Sequence, residues 1–352
     1  MDPITQGLLG ATAAQAGFGD TLKRRAWVIG MVSGMAADLD VLIHSATDPL
    51  LHIEFHRHFT HSLVFIPIGG LIAALPFLAF KSFRVQSLDV IGASVLAYAT
   101  HGLLDACTSY GTQLLWPFTN VRVAWDCLPI VDPLFTGILI LSLIIAVWQR
   151  RRLPSRIGLT CAIVYALVGM TQNWRAMDAQ AKLAEHRGHQ IEHGRAAATL
   201  LNFRLWRSVY RHDGKLYADA IHVMPFGGIT VRQGESISQL DIEGIAKRLS
   251  PDNALRRDLV RFNWFCDGFI ARDPNDDRRI IDCRYSMSPH AFVPLWCLYI
   301  DLAHPDRHAA FQRLASVESR RERMGTFKNE VLFGLESRLE DIIGPSLPDP
   351  KH

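Results

Sequence analysis

Apolar residues are bunched along the first half of the chain and scattered along the second. Leu63 to Phe80 runs 18 residues without a charge, and only His101 interrupts the apolar and small residues from Val90 to Leu104. Leu134 to Trp148 and Ile157 to Thr171 are uncharged, and Ala26 to Ile43 carries only Asp38 and Asp40, near its end. Ile4 to Phe18 is the weakest run, with three glycines and two glutamines. Roughly 17 to 25 residues suffice to cross the hydrocarbon core of a bilayer once flanking residues are counted. The pattern therefore predicts five membrane helices, and a sixth if Ile4 to Phe18 crosses instead of lying at the interface. Buried helices of a large soluble protein would give similar runs, but the scarcity of charge favours lipid. No Lys or Arg precedes Ile4, which argues against a signal peptide.

Charge sharpens this division. Residues 1–172 hold 11 Lys/Arg and 10 Asp/Glu, so 50 of the 71 charges fall in the last 180 residues. Basic residues favour cytoplasmic loops. Placing Lys23, Arg24, Arg25, Lys81, Arg84, Arg150, Arg151, Arg152 and Arg156 inside leaves only Arg57 and Arg122 outside. Residues 44–62, 107–133 and everything beyond Arg175 are then extracytoplasmic. The expected fold is mainly α: a polytopic transmembrane bundle of five or six helices over 1–174, a helical connector over 175–201, and a soluble extracytoplasmic α+β domain over 202–352. The setting is the cell inner membrane, crossed several times.

In the soluble part, Lys215 to Met224, Gly228 to Arg232, Leu259 to Arg272, Arg279 to Met287 and Phe292 to Asp301 are rich in β-branched and aromatic residues and are separated by turn signals. They predict a small antiparallel sheet. Gly325 to Leu339 reads as helix and Gly344 to His352 as a frayed end. No P-loop or glycine-rich dinucleotide turn occurs. The six cysteines form no CxxC pair, though Cys107 with Cys127 and Cys266 with Cys283 are open to disulfide pairing in an oxidising compartment. A net charge of +3 gives no basic field for nucleic acid.

The chemistry lies in polar residues of the apolar half. Five of 15 histidines fall between His44 and His61, and neutral imidazole is the commonest transition-metal ligand. On one regular helix His56 and His61 would diverge, which places His56 in a loop; Thr60 or Ser62 is free to cap the helix that follows. His101 and Asp105 stand at i and i+4, on one face of a helix. Ionisable groups at membrane depth are costly unless they face a partner, a metal or water. Asp38 and Asp40 end another run, and Asp126 and Asp132 precede the next. All of them reach the same side of the membrane in a topology drawn from Lys and Arg alone.

Met-Asp-Pro-Ile-Thr-Gln-Gly-Leu-Leu-Gly at 1–10, Asp38-Leu39-Asp40, His56-Arg57-x-Phe59-Thr60-His61-Ser62, His101-Gly102-x-x-Asp105, Thr108 to Gln113, and Arg122 to Asp126 followed by Asp132-Pro133 occur in that order. Over roughly the first 175 residues the chain resembles the YdjM/DUF457 family of inner-membrane metal-dependent hydrolases, which is distantly similar to zinc-dependent phospholipase C and P1 nuclease. The resemblance implies metal ligation by Asp38, Asp40, His56, His61, His101 and Asp105, with Asp126 and Asp132 as further candidates. Two positions depart from the family pattern: His58 replaces a small residue and is an extra ligand or a bystander, and Gln6 replaces a common histidine.

One to three divalent ions, most simply zinc, would lower the pKa of a bridging water towards about 7. Asp38 or Asp126 would act as general base, and Tyr110, Arg122 and Trp125 would bind substrate, the guanidinium suiting a phosphate. At the lip of a membrane bundle the accessible phosphodiester or ester is lipid: a headgroup or a lipid-linked phosphate. The rival readings are a transporter, disfavoured because the ionisable groups crowd one end of the spans, and a non-catalytic sensor or structural protein with a bound metal, whose C-terminal domain binds a protein partner.

Overall fold

The computed structural model describes residues 1–286, 288–314, 334–335 and 337–343. The chain divides into two compact units, one of residues 1–43 and 55–171, the other of 44–54 and 172–352. The second unit thus includes a short insert from the apolar half.

The first unit is helical. Helix α1 (Pro3–Phe18) begins at Asp2, whose carboxylate accepts the Thr5 N–H and caps it, with Pro3 at the first turn. It packs on α2 (Arg25–Met35), where a Cβ on Gly10 would meet the Gly30 carbonyl oxygen at 2.5 Å, so bare backbones form the crossing. A 3₁₀ helix (Ala36–Leu42) continues α2. After α3 (Leu51–Phe55) come two 3₁₀ turns (Phe59–His61 and Leu63–Phe65), then α4 (Ile66–Leu78), α5 (Lys81–Arg84), α6 (Ser87–Ala106), α7 (Pro133–Gln149) and α8 (Leu153–His186). Leu104, Cys107, Cys127, Leu128, Phe135 and Leu139 form one core, and Ala14, Leu22, Ala26, Ile29, Ala74, Val90 and Ala93 another. Outward faces are apolar too, as at Ile72 and Leu75 of α4, Leu141 and Ile144 of α7, and Ile163 and Leu167 of α8.

Among the described residues only α6 and α8 are long and apolar enough to cross a membrane, with a third span if Leu51–His61 and Leu63–Leu78, bent by 58°, count as one. The expected five or six spans are not supported. The reason is local: the polar Asp38-Leu39-Asp40 and Phe59-Thr60-His61 segments wind as 3₁₀ turns and truncate their neighbours, so α2 and α4 rise only about 17 and 20 Å. The Ile4–Phe18 run, as α1, buries 11 of its 16 residues within the bundle. Neither Thr60 nor Ser62 caps a helix; the Ser62 hydroxyl donates to the Phe59 carbonyl.

The second unit is α+β. Helix α8 runs through the expected connector to His186, and β1 (His193–Ala198) follows within it. Strands β1, β2 (Leu205–His212), β3 (Lys215–Val223), β4 (Ile229–Arg232) and β10 (Ser337–Arg338) form an antiparallel sheet in that order, with β5 (Ser236–Ser238) also paired to β3. Ala176, Ala179 and Leu183 of α8 pack on Trp206, Ile221, Val223 and Val231. A second sheet joins β6 (Ile270–Asp273), β7 (Asp276–Asp282), β8 (Trp296–Tyr299) and β9 (Ala310–Arg313). Helices α9 (Ile242–Lys247) and α10 (Ala254–Phe265) precede β6, and α10 takes up the first half of the stretch read as a strand from Leu259 to Arg272, because Leu255, Leu259 and Phe262 recur at helical spacing. The helix expected at Gly325 to Leu339 falls largely outside the described residues, as does Gly344 to His352; α11 is Leu339–Ile343.

All six cysteines are free thiols, and neither of the two pairings left open by the sequence is formed. Cys127 Sγ instead lies 3.5 Å from the Cys107 carbonyl oxygen. Burial pushes the Cys266 and Cys283 thiols above their ordinary range. Arg207, fully buried, donates to the carbonyls of Cys283, Ser288, Pro289 and Ala291 and stitches that loop to β2; burial lowers its pKa to about 10.

Candidate metal centre

Three segments of the first unit converge at one end of the bundle. The 3₁₀ helix after α2 turns Asp38 and Asp40 inward while Leu39, Val41 and Leu42 stay exposed. Between His56 and His61 the backbone reverses through Arg57, whose φ of 64° is left-handed. That turn brings together two histidines that a regular helix would have pointed apart. His101 and Asp105 share one face of α6, with His101 Nε2 3.6 Å from Asp105 Oδ2. Gly102 between them is required: a Cβ there would sit 2.3 Å from the His61 carbonyl oxygen.

Two ligand groups result, each with all its donor atoms within 4.8 Å of one another. Asp38, His61, His101 and Asp105 make the first; Asp38, Asp40 and His56 make the second. Asp38 Oδ1 lies 3.2 Å from His101 Nε2 and 3.5 Å from His61 Nε2. Asp40 Oδ1 lies 2.8 Å from His56 Nδ1. Its Oδ2 accepts the Arg57 N–H at 2.8 Å and the Thr60 hydroxyl at 3.1 Å. Asp105 Oδ2 faces His61 Nε2 at 3.3 Å and Arg57 Nε at 3.0 Å. Its Oδ1 accepts Gln6 Nε2 at 2.7 Å and the Met1 amino group.

These residues fit a divalent cation. Carboxylates this close repel one another unless positive charge lies between them. His101 Nδ1 donates to the Gly34 carbonyl at 2.6 Å, which fixes the tautomer and leaves the Nε2 lone pair facing Asp38 and Asp105. His61 Nε2 is buried, makes no well-directed hydrogen bond among the described residues, and is aimed between the same two carboxylates. His56 and Asp38 remain 25% and 21% exposed, so the centre is open on their side.

The remaining sequence candidates divide. Tyr110 lies beside the centre, its ring 5.5 Å from that of His56 and under the guanidiniums of Arg57 (4.8 Å) and Arg122 (5.2 Å). Trp125 is exposed, and its backbone N–H donates to the Ala106 carbonyl at the end of α6. Asp126 and Asp132 belong to neither ligand group among the described residues. Asp132 instead caps α7, accepting the N–H groups of Leu134 and Phe135 and the Tyr165 hydroxyl. His58 packs among Phe55, Phe59 and Trp116 and is in no group. Sequence reasoning passed over Arg57 and Thr60 as contributors. Their only signal was their place inside the His56–His61 motif, and the left-handed turn that gives them their contacts has no mark in the residue types.

An apolar helical unit bearing a buried His/Asp cluster at one end defines a membrane protein with a candidate metal centre. The chain belongs to the YdjM inner membrane protein family, whose model matches residues 1–176. No curated protein and no solved structure matches it.

Proposed function

We propose that this chain is a membrane-bound, metal-dependent hydrolase acting on a phosphodiester or ester, a lipid headgroup or lipid-linked phosphate, at the extracytoplasmic face. The observation that carries the reading is that Asp38 belongs to both ligand groups on the open side of the cluster, the arrangement that suits two neighbouring ions. Asp38, Asp40, His56, His61, His101 and Asp105 would hold one to three ions, zinc being the simplest match to imidazole and carboxylate donors. A divalent ion there supplies Lewis acidity and brings the ionisation of water into the neutral range. Asp38, or Asp126 from the adjoining loop, takes the proton of the attacking water. Arg122, stacked on Tyr110, receives a phosphate oxygen, and Trp125 lies against the apolar part of the substrate.

The orientation draws support from α1. At its far end Arg156 donates to the Ala16 carbonyl and Arg152 pairs with Asp20, whereas Gln6 near its start meets Asp105. Basic residues and ligand cluster thus lie at opposite ends of a helix about 24 Å long. A reporter fused after Arg152 reads cytoplasmic and one after Arg175 extracytoplasmic; the reverse pattern overturns the orientation. Purified protein carries divalent metal and hydrolyses a lipid phosphodiester or ester. Full metal occupancy with neither class of substrate cleaved favours the non-catalytic sensor or structural reading instead.

A further inference from the structure

The first sheet of the second unit has two unlike ends. At one, β2 and β3 are joined through His212-Asp213-Gly214, a polar turn whose Asp213 N–H is held by Glu192. At the other lie the turn between β1 and β2 and the turn between β3 and β4, side by side because Leu205 pairs with His222. The Val223 N–H donates to the Arg204 carbonyl there at 2.7 Å. These turns expose Leu200, Leu201, Met224 and Phe226, the last completely. Hairpin tips are ordinarily built from Gly, Asn, Asp, Ser and Pro. A cluster of large apolar side chains on two adjacent tips marks an interaction surface.

Helix α8 shows what that surface meets. Arg175 Nη1 and Nη2 donate to the Met224 and Gly227 carbonyls, both at 2.6 Å, and Gln172 Nε2 donates to the Val223 carbonyl. The tips are therefore pinned to α8 at residues 172–175. Val164, Leu167 and Val168 form an exposed apolar stripe on this helix, and Trp174, 69% exposed, continues it at helical spacing. Counted from Leu153, 20 residues of α-helix end at Gln172 and rise about 30 Å, the thickness of a hydrocarbon core. Trp174 and Arg175 thus fall where aromatic and basic side chains settle at a membrane surface.

We propose that Trp174 and the two hairpin tips carrying Leu200, Leu201, Met224 and Phe226 form a membrane-interface anchor, in which the tips of a soluble sheet dip into the headgroup region where α8 emerges. The partner is the lipid surface itself. The anchor rests on α8 and the sheet and is independent of the metal centre.

The test uses the full chain in phosphatidylglycerol/phosphatidylethanolamine vesicles, with Cys161→Ser removing the exposed native thiol. An environment-sensitive fluorophore on Phe226→Cys should emit blue-shifted and be quenched by lipids spin-labelled high on the acyl chain. The same probe on Lys215→Cys, at the polar end of β3, should emit as in water and escape quenching. A Phe226→Cys probe that emits as in water overturns the proposal. So does one that is shielded yet unquenched by lipid and sensitive to protein density, since that reports a protein contact. Should Phe226→Cys fail to insert, Leu201→Cys on the neighbouring tip carries the same two outcomes.

Discussion

His101 Nδ1 lies 2.6 Å from the Gly34 carbonyl oxygen, so a side chain of α6 is held by the backbone of α2. The bond sets which nitrogen carries hydrogen and aims Nε2 at Asp38 and Asp105. His101→Ala and His61→Ala are expected to abolish metal binding while the protein still inserts. His58→Gly, which removes a ring packed against Phe55, Phe59 and Trp116 and lies outside both ligand groups, should keep the metal. Equal metal content in the wild type and both alanine variants would remove the centre as described.

Arg57 serves both ligand groups: its N–H reaches Asp40, while its guanidinium meets Asp105 Oδ2 and the Thr108 hydroxyl. Loss of a residue that orients ligands typically weakens metal binding about 10- to 100-fold. Arg57→Met should fall in that range, with Arg57→Lys between it and the wild type, as read by competition with a chelator. Unchanged affinity in Arg57→Met argues against the orienting role.

Asp132 offers the opposite case. Asp132→Ala removes the α7 cap, worth about 1 kcal/mol, and also the hydrogen bond from the Tyr165 hydroxyl, worth about 1 kcal/mol more. Melting temperature in detergent should drop while metal content holds. A variant that loses metal with little change in stability would return Asp132 to the ligand set.

In the second unit, burial opposes ionisation of Asp48, but Arg261 Nη1 at 2.9 and 3.0 Å and the Leu50 N–H outweigh it and hold the carboxyl below its usual range. A carboxyl with a depressed folded pKa contributes stability fully above the unfolded value of about 3.9, and loses it as pH falls through the lower folded value. Asp48→Asn should therefore be less stable than wild type at pH 7, the gap narrowing as the pH falls below about 4. Thermal melts across that range check it, and a gap that stays constant speaks against the ion pair.

Composition and periodicity were enough to separate an apolar helical half from a charged α+β half, since burial in lipid or in a core demands apolar side chains whatever the topology. His101 and Asp105 were legible as a pair because helical geometry alone puts i and i+4 on one face. Strands β3 and β4 were legible from their β-branched and aromatic residues, whereas β1, with three alanines, was not. The rest was decided by tertiary contacts. Helix lengths, and with them the number of spans, depended on 3₁₀ turns that form where Asp38, Asp40 and His61 are drawn inward towards partners on other helices. The same contacts assign Asp132 to a helix cap and Arg57 to the centre, since whether a carboxylate meets an N–H group or a ring of ligands is set by what the fold packs opposite it.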